Sequence, residues 1–84
     1  MGYKKRLNPI SEAFVDGIIA RQRIARQETG HQNEIAKHLG ISPSTLEYRE
    51  VKMVDYNLIL HLHTKYEYRL EWLLLGQPPE KNHQ

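Results

Sequence analysis

The sequence predicts a compact all-α domain of five helices, and three features support this class. Asn8 and Ser42 are good N-capping residues, and each precedes a proline suited to the first helical position. Gly40 and Gly76 mark helix ends, because glycine readily adopts the left-handed conformation found there. Cysteine is absent, which excludes disulfides and thiolate metal sites, so the fold depends on an apolar core.

Composition and charge exclude several classes of protein. Of the 84 residues, 39% are hydrophobic and 26% are charged, as is typical of a globular chain. The apolar runs are too short to span a bilayer and the polar start does not resemble a signal peptide, so we expect a cytoplasmic protein. Residues 1–39 carry seven basic and four acidic residues, against five and six in residues 40–84. This asymmetry is typical of a surface with one anionic partner.

The first helix is predicted from Pro9 to about Gln27, after a flexible basic arm over residues 1–7. Gly17 weakens its middle by about 1 kcal/mol relative to alanine. Near-helical spacing predicts one apolar face with two flanking residues, namely Ile10, Phe14, Ile18 and Ala25 with Ala13 and Ile24 beside them.

Two short helices with a tight connection follow. Thr29 and Gln32 match a capping box, in which each side chain satisfies a backbone donor of the other residue. The second helix ends at Gly40, and the third begins after Ser42, with Leu46 pointing inward. Two short helices joined by a glycine-containing turn of three or four residues are typical of a helix-turn-helix.

The region from Leu58 to Trp72 fits two patterns. Its large apolar residues occupy even positions, as in a strand, but a second set recurs at helical spacing. A strand here would be about three times the usual length, and the region contains no turn-forming residue. We therefore predict helices from Asp55, as N-cap, to about Lys65 and from about Arg69 to Leu75, with a frayed tail over residues 77–84.

Two motifs in this order resemble a known family. Residues 32–46 carry Gln32 at the start, Ala36 where two helices cross and Gly40 in the turn, and residues 68–76 end in Leu-Glu-Trp-Leu-Leu-Leu-Gly. Residues 54–56 match the family's start of a fourth helix. The chain resembles lambda-repressor-like helix-turn-helix domains over about residues 18–76, most closely the N-terminal domains of bacteriophage CI-type repressors. The resemblance implies a (pro)phage transcriptional repressor that binds duplex operator DNA, with domain bounds of 8–76.

The resemblance also implies which residues meet the DNA. In this family the third helix lies in the major groove with its first residues facing base edges, and the second helix begins at a phosphate. The DNA-contacting residues expected are Gln32, Ser42, Pro43, Ser44, Thr45, Glu47, Tyr48, Arg49 and Lys52, with Lys4, Lys5 and Arg6 in the arm.

Several of these residues have a second interpretation. Glu47 can accept a hydrogen bond from cytosine or remain a solvated acid, and Tyr48 can reach DNA or cover the core. Gln32 can hold a phosphate, which we favour, or only close the capping box with Thr29. The basic arm over residues 1–7 can enter a minor groove or only keep the chain soluble.

The closing helix predicts a homodimer. Its four consecutive large apolar residues cannot all be buried by one helix face, and a symmetric operator requires a symmetric protein. The predicted interface comprises Leu70, Trp72, Leu73, Leu74 and Leu75. Alternatively, this apolar patch packs on the tail or on a C-terminal domain that is missing from this chain. CI-type repressors commonly carry a C-terminal oligomerisation domain, so the chain is interpreted as an isolated DNA-binding domain or as a naturally short regulator.

An alternative function is a protein-interaction module on the same scaffold, an antitoxin or antirepressor component, based on the acidic residues Glu47, Glu50 and Asp55. A metal site is not expected, because His61 and His63 point about 200° apart on a helix. We expect neither a cofactor nor an enzyme, since no catalytic motif is present.

Overall fold

A computed structural model describes residues 9–82, which form five helices. They are α1 (Pro9–Thr29), α2 (Gln32–Leu39), α3 (Pro43–Lys52), α4 (Tyr56–Tyr66) and α5 (Leu70–Leu75). The all-α class with five helices is thereby confirmed. The long helix α1 packs against each of the other four, and α4 also contacts α2 and α5. The predicted arm over residues 1–7 lies outside the described residues.

Capping geometry confirms most of the predicted helix ends. The side chains of Ser42 and Asp55 each accept a hydrogen bond from the backbone N–H three residues later, at 3.1 and 3.2 Å. Gly40 and Gly76 end α2 and α5 with φ angles of 75° and 74°. These helix ends depend on contacts between residues close together in the chain, and for this reason the sequence predicts them.

The predicted capping box is wrong. Helix α1 extends to Thr29, whose hydroxyl donates to the carbonyl of Arg26 at 2.7 Å and accepts from the backbone N–H of His31 at 3.1 Å. Helix α2 begins after His31 without a side-chain cap. The amide of Gln32 turns instead to α3, where its Nε2 donates to the carbonyl of Pro43 at 3.0 Å.

The helical interpretation of the region after residue 55 is confirmed. In α4, Leu58, Ile59 and Leu62 are buried while Leu60 is exposed, which is helical spacing rather than strand alternation. The helix ends one residue later than predicted, at Tyr66, and Glu67 follows in the left-handed conformation.

The predicted apolar face of α1 is only partly correct. Ile18 and Ala25 are buried, but Ile10 and Phe14 are 83% and 50% exposed, and Ala13 and Ile24 are also exposed. The first two predicted core positions, Ile10 and Phe14, therefore lie outside the buried core. In the second half of α1, two polar residues, Gln22 and Arg26, occupy buried positions instead.

A buried ion pair joins α1 to α3. Arg26 donates from Nε and Nη2 to the two carboxylate oxygens of Glu50, at 2.5 Å each, and Glu50 has no solvent exposure. This hydrogen bonding raises the pKa of Arg26. The Nε of Arg23, half-exposed, approaches the same carboxylate at 4.0 Å. The pair fixes α3 against the long helix by two charge-assisted bonds.

The buried amide of Gln22 extends this connection to the start of α4. Its Nε2 donates to the backbone carbonyls of Glu50 and Met53 at 3.0 and 2.7 Å, and its Oε1 accepts from the N–H of Asp55 at 3.1 Å. One side chain therefore satisfies three backbone groups where the chain leaves α3 and enters α4, and so sets the position of the third helix.

The end of α5 is held by a second polar side chain of α1. Arg21 donates from Nε and Nη2 to the carbonyls of Leu73 and Leu74, at 3.0 and 3.1 Å. Burial lowers the pKa of Arg21. Its guanidinium lies over Gly17, where an added Cβ would stand 3.0 Å from Nη1. The glycine in the middle of α1 thus leaves space for this contact.

The segment over residues 77–82 makes backbone hydrogen bonds with the chain before it. The backbone N–H of Arg69 donates to the carbonyl of Glu80 at 2.8 Å, and Tyr68 and Lys81 form an antiparallel bridge. Tyr68 is buried, and its hydroxyl donates to Glu28 on α1 at 2.8 Å. The tail is thus paired with the segment that connects α4 and α5.

Candidate nucleic-acid interface

The first residues of α2 and α3 are connected at the surface. The bond between Gln32 and Pro43 is exposed and joins the first residue of one helix to the first residue of the other. The N–H groups at a helix start lack intrahelical partners and, with the helix dipole, attract anions. The start of α2 keeps its first N–H groups, whereas α3 adds only the N–H of Ser44, because Pro43 has none and that of Thr45 donates to Ser42.

Three hydroxyl side chains surround the start of α3. The Ser42 hydroxyl caps the helix and donates to Oγ1 of Thr45 at 2.9 Å, with the Ser44 hydroxyl 3.2 Å away. The hydroxyl of Ser42 is therefore already hydrogen-bonded within the chain. Ser44 is exposed and Thr45 is partly exposed, so their hydroxyl groups can form hydrogen bonds with a ligand.

One face of α3 is open to solvent. Ser44, Tyr48 and Lys52 lie four residues apart along it, with Glu47 beside them, while Leu46 on the opposite face is buried. Tyr48 is 63% exposed and does not cover the core. The Nζ of Lys52 lies 5.8 Å from the centre of its ring, so a cation and an aromatic ring share this face.

The acidic residues near α3 have different roles. Glu50 is buried in the ion pair with Arg26, and Asp55 is buried as the cap of α4. Glu47 is exposed. Two of the three acids that favoured a protein-interaction module are therefore structural. The basic Arg49 is partly exposed, and the arm residues Lys4, Lys5 and Arg6 lie outside the described part of the chain.

A second candidate surface is an apolar groove of about 440 Å³ beside α5. Tyr56 and Leu75 are 76% and 57% exposed there. The apolar residues of its lining are Phe14, Ile18, Tyr56, Leu70, Leu74 and Leu75. The sequence did not identify Phe14 and Tyr56 in this role, because they come from α1 and α4.

Two residues of the predicted dimer interface are not available to a partner. Trp72 and Leu73 belong to the buried core, because α5 packs between α1 and α4 and turns these two side chains inward. Leu70 and Leu74 are partly buried, and Leu75 is exposed. The possible interface on α5 is therefore reduced to these three residues.

The histidines of α4 lie apart. The Nδ1 of His63 is 2.8 Å from the carbonyl of Tyr68, whereas His61 stacks on His38 of α2. Within residues 9–82, histidine, aspartate and glutamate form no group of three or more that could hold a metal ion. In the same range, no helix is both long and apolar enough to cross a membrane.

No family model, curated protein or solved structure matches this chain.

Proposed function

We propose that the chain is a sequence-specific duplex DNA-binding regulator of lambda-repressor-like fold, which represses (pro)phage genes in the cytoplasm of a bacterial host. Binding of α3 to an operator would occlude a promoter. The observation that carries the proposal is the contact between the starts of α2 and α3 through Gln32 and Pro43. A phosphate at α2 and base edges at α3 are then within reach of one rigid unit.

Gln32 can hold its bond to α3 and bind a phosphate at the same time. Its amide nitrogen carries two hydrogens, and one of them is used by the carbonyl of Pro43. The second hydrogen can be donated to a phosphate oxygen, beside the free N–H groups of α2. The intramolecular bond then holds the side chain in place before DNA arrives.

Base reading is assigned to the exposed face of α3. Ser44 and Thr45 offer hydroxyl groups, and Glu47 can accept from the amino group of cytosine. Tyr48 can contact a base or a phosphate, and Lys52 is the exposed cation at the far end of the same face. Affinity would come mainly from the phosphate contacts and specificity from the first turns of the helix.

Selection from random duplexes at two salt concentrations tests the proposal. We expect a palindromic site to be enriched and the affinity to fall steeply with salt. Replacing Lys52 or Arg49 with glutamine should reduce the slope of log K against log salt by about 0.9 for each phosphate contact removed. Lys37→Gln is the control, since it removes the same charge from the last turn of α2.

The result that contradicts the proposal is an absence of binding at low salt, or equal slopes in all three variants and the parent. Absence of binding would favour the alternative, a protein-interaction module such as an antitoxin or antirepressor component. Glu47→Gln adds a test of specificity: it should change the preferred bases while leaving the salt slope unchanged, since it removes no phosphate contact.

We also propose that the functional unit is a homodimer that buries the apolar groove beside α5. A palindromic operator requires two copies, and the groove exposes large apolar side chains, including Phe14, Tyr56 and Leu75. Leu75→Glu should make the protein monomeric in sedimentation equilibrium without unfolding it. Leu60→Glu is a matched control, because Leu60 is 58% exposed but lies outside this groove. A parent protein that is monomeric at all concentrations contradicts this part.

A further inference from the structure

A stacked pair of histidines joins α2 to α4. The ring centres of His38 and His61 are 4.0 Å apart and their planes are inclined by 17°. The edge of Tyr66 meets His61 at 5.7 Å between centres, and Tyr66 in turn stacks on His31 at 6.0 Å. The two paired histidines are distant in the sequence, so only the packing of α2 on α4 brings them together.

The pair borders a cavity of about 340 Å³ that opens to solvent. Its lining residues all belong to α2 and α4, and besides the histidines they are Leu39, Asn57, Leu60 and Thr64. Protons can therefore reach the pair. Asn57 and Thr64 are polar but uncharged, so neither can neutralise a positive charge that forms on the rings.

The charges around the pair also oppose its full protonation. Burial, and then the charges of His38 and Lys65, lower the pKa of His61. The carboxylate of Glu34 lies four residues before His38 on α2, but its Oε1 approaches the Nδ1 of His31 at 3.4 Å. The residues that α1, α3 and α5 contribute to the described chain include none that lines the cavity.

We propose that the His38–His61 pair is a pH-sensitive contact, in which protonation of both rings separates α2 from α4. Two face-to-face imidazoles at 4.0 Å can stay stacked while one of them is protonated, but a second proton places two positive charges at that distance, with the ring of His61 partly buried and that of His38 exposed. Histidine is the side chain whose ordinary titration range, near pH 6.5, makes this occur under mildly acidic conditions.

The sign of the effect follows from proton uptake. Because the pKa of His61 is lower in the folded chain than its ordinary value, the unfolded chain binds more protons as the pH falls. The stabilisation is complete above about pH 6.5 and is lost progressively at lower pH. The contact is therefore stable at neutral pH and weak in acid.

The experiment compares urea unfolding at pH 7.5 and pH 5.0, each with and without EDTA, for the parent, His38→Gln, His61→Gln and His31→Gln. We expect the folding equilibrium constant of the parent to fall about tenfold more than that of His61→Gln or His38→Gln, which is about 1.4 kcal/mol. His31→Gln is the control that removes a histidine outside the pair and should behave as the parent does.

An equal fall in the parent and in His61→Gln overturns the proposal. So does a parent that loses its extra pH dependence when EDTA is added, because a bound metal ion would then be the cause. An NMR titration of the ring protons gives a second readout: His38→Gln should move the titration of His61 to higher pH. An unchanged titration of His61 also overturns the proposal.

One consequence for DNA rests on the proposed function. Helix α2 contacts α3 through Gln32, so release of α2 from α4 should disturb the paired helix starts and weaken operator binding at pH 5.0. The proposed DNA-binding function and the pH-sensitive histidine contact can be contradicted independently of each other. An absence of DNA binding at both pH values contradicts the proposed function, whereas the unfolding comparison tests the histidine pair without DNA.

Discussion

Removing one partner of the buried Arg26–Glu50 pair should destabilise the fold severely. Both side chains are almost completely buried and are joined by two charge-assisted hydrogen bonds. Each such bond contributes about 1.5–3 kcal/mol, and breaking a buried pair typically costs 3–5 kcal/mol. We therefore expect Glu50→Leu to lower the free energy of unfolding by about 3–5 kcal/mol, because Arg26 keeps its charge without a carboxylate beside it.

Removing the arginine instead of the glutamate should lower the free energy of unfolding by less. In Arg26→Met, the carboxylate of Glu50 can still be approached by Arg23, whose Nε is already at 4.0 Å. The double variant Arg26→Met/Glu50→Leu removes both charges and fills the space with apolar atoms. We expect its free energy of unfolding to lie within about 1 kcal/mol of that of the parent, because well-packed apolar residues often replace a buried ion pair at no net cost.

The measurement is urea unfolding followed by circular dichroism, with sucrose added if a single variant is too unstable. Glu47→Gln is the control, since it changes an exposed acid on the same helix and should alter stability by less than about 0.5 kcal/mol. A loss of less than about 1 kcal/mol in the free energy of unfolding of either single variant would contradict this prediction. So would a double variant whose loss in the free energy of unfolding equals the sum of the losses of the two single variants.

Three further predictions concern other polar contacts. Gln22→Leu should lower the free energy of unfolding by about 2–4 kcal/mol in urea, because three backbone groups lose their partner, two of them in buried hydrogen bonds. Ser42→Ala should cost about 1 kcal/mol as a lost N-cap, whereas Ser44→Ala should have almost no effect on stability. Burial and a hydrogen bond to Glu28 raise the pKa of Tyr68, so stability should fall as the pH rises above about 10, the ordinary value for tyrosine. Tyr68→Phe should remove that part of the alkaline loss; an unchanged profile would contradict it.

The candidate interface was predictable only in part. The resemblance named the candidate residues of α3, and it named Gln32 at the start of α2. The sequence did not predict that Gln32 would bond to Pro43, because that contact depends on the angle between two helices. The stacking of His38 on His61 has the same origin, since it requires α2 to pack on α4.

The sequence by itself determined the number of helices and most of their ends. Ser42, Asp55, Gly40 and Gly76 act on backbone groups within a few residues, so their effects can be predicted before the chain folds. The same local rules failed for Thr29, where α1 continues two residues further than predicted. Local capping was overridden there by the extension of the helix.

Only the tertiary structure decided which side chains the helices bury. Spacing predicted Phe14 in the core, but it is 50% exposed, whereas Gln22 and Arg26 are buried because α3 supplies hydrogen-bond partners for them. Trp72 is likewise turned inward by the packing of α5 against α1 and α4. Burial depends on what lies opposite a helix face, and that neighbour is distant in the sequence, so periodicity identifies a face but not its partner.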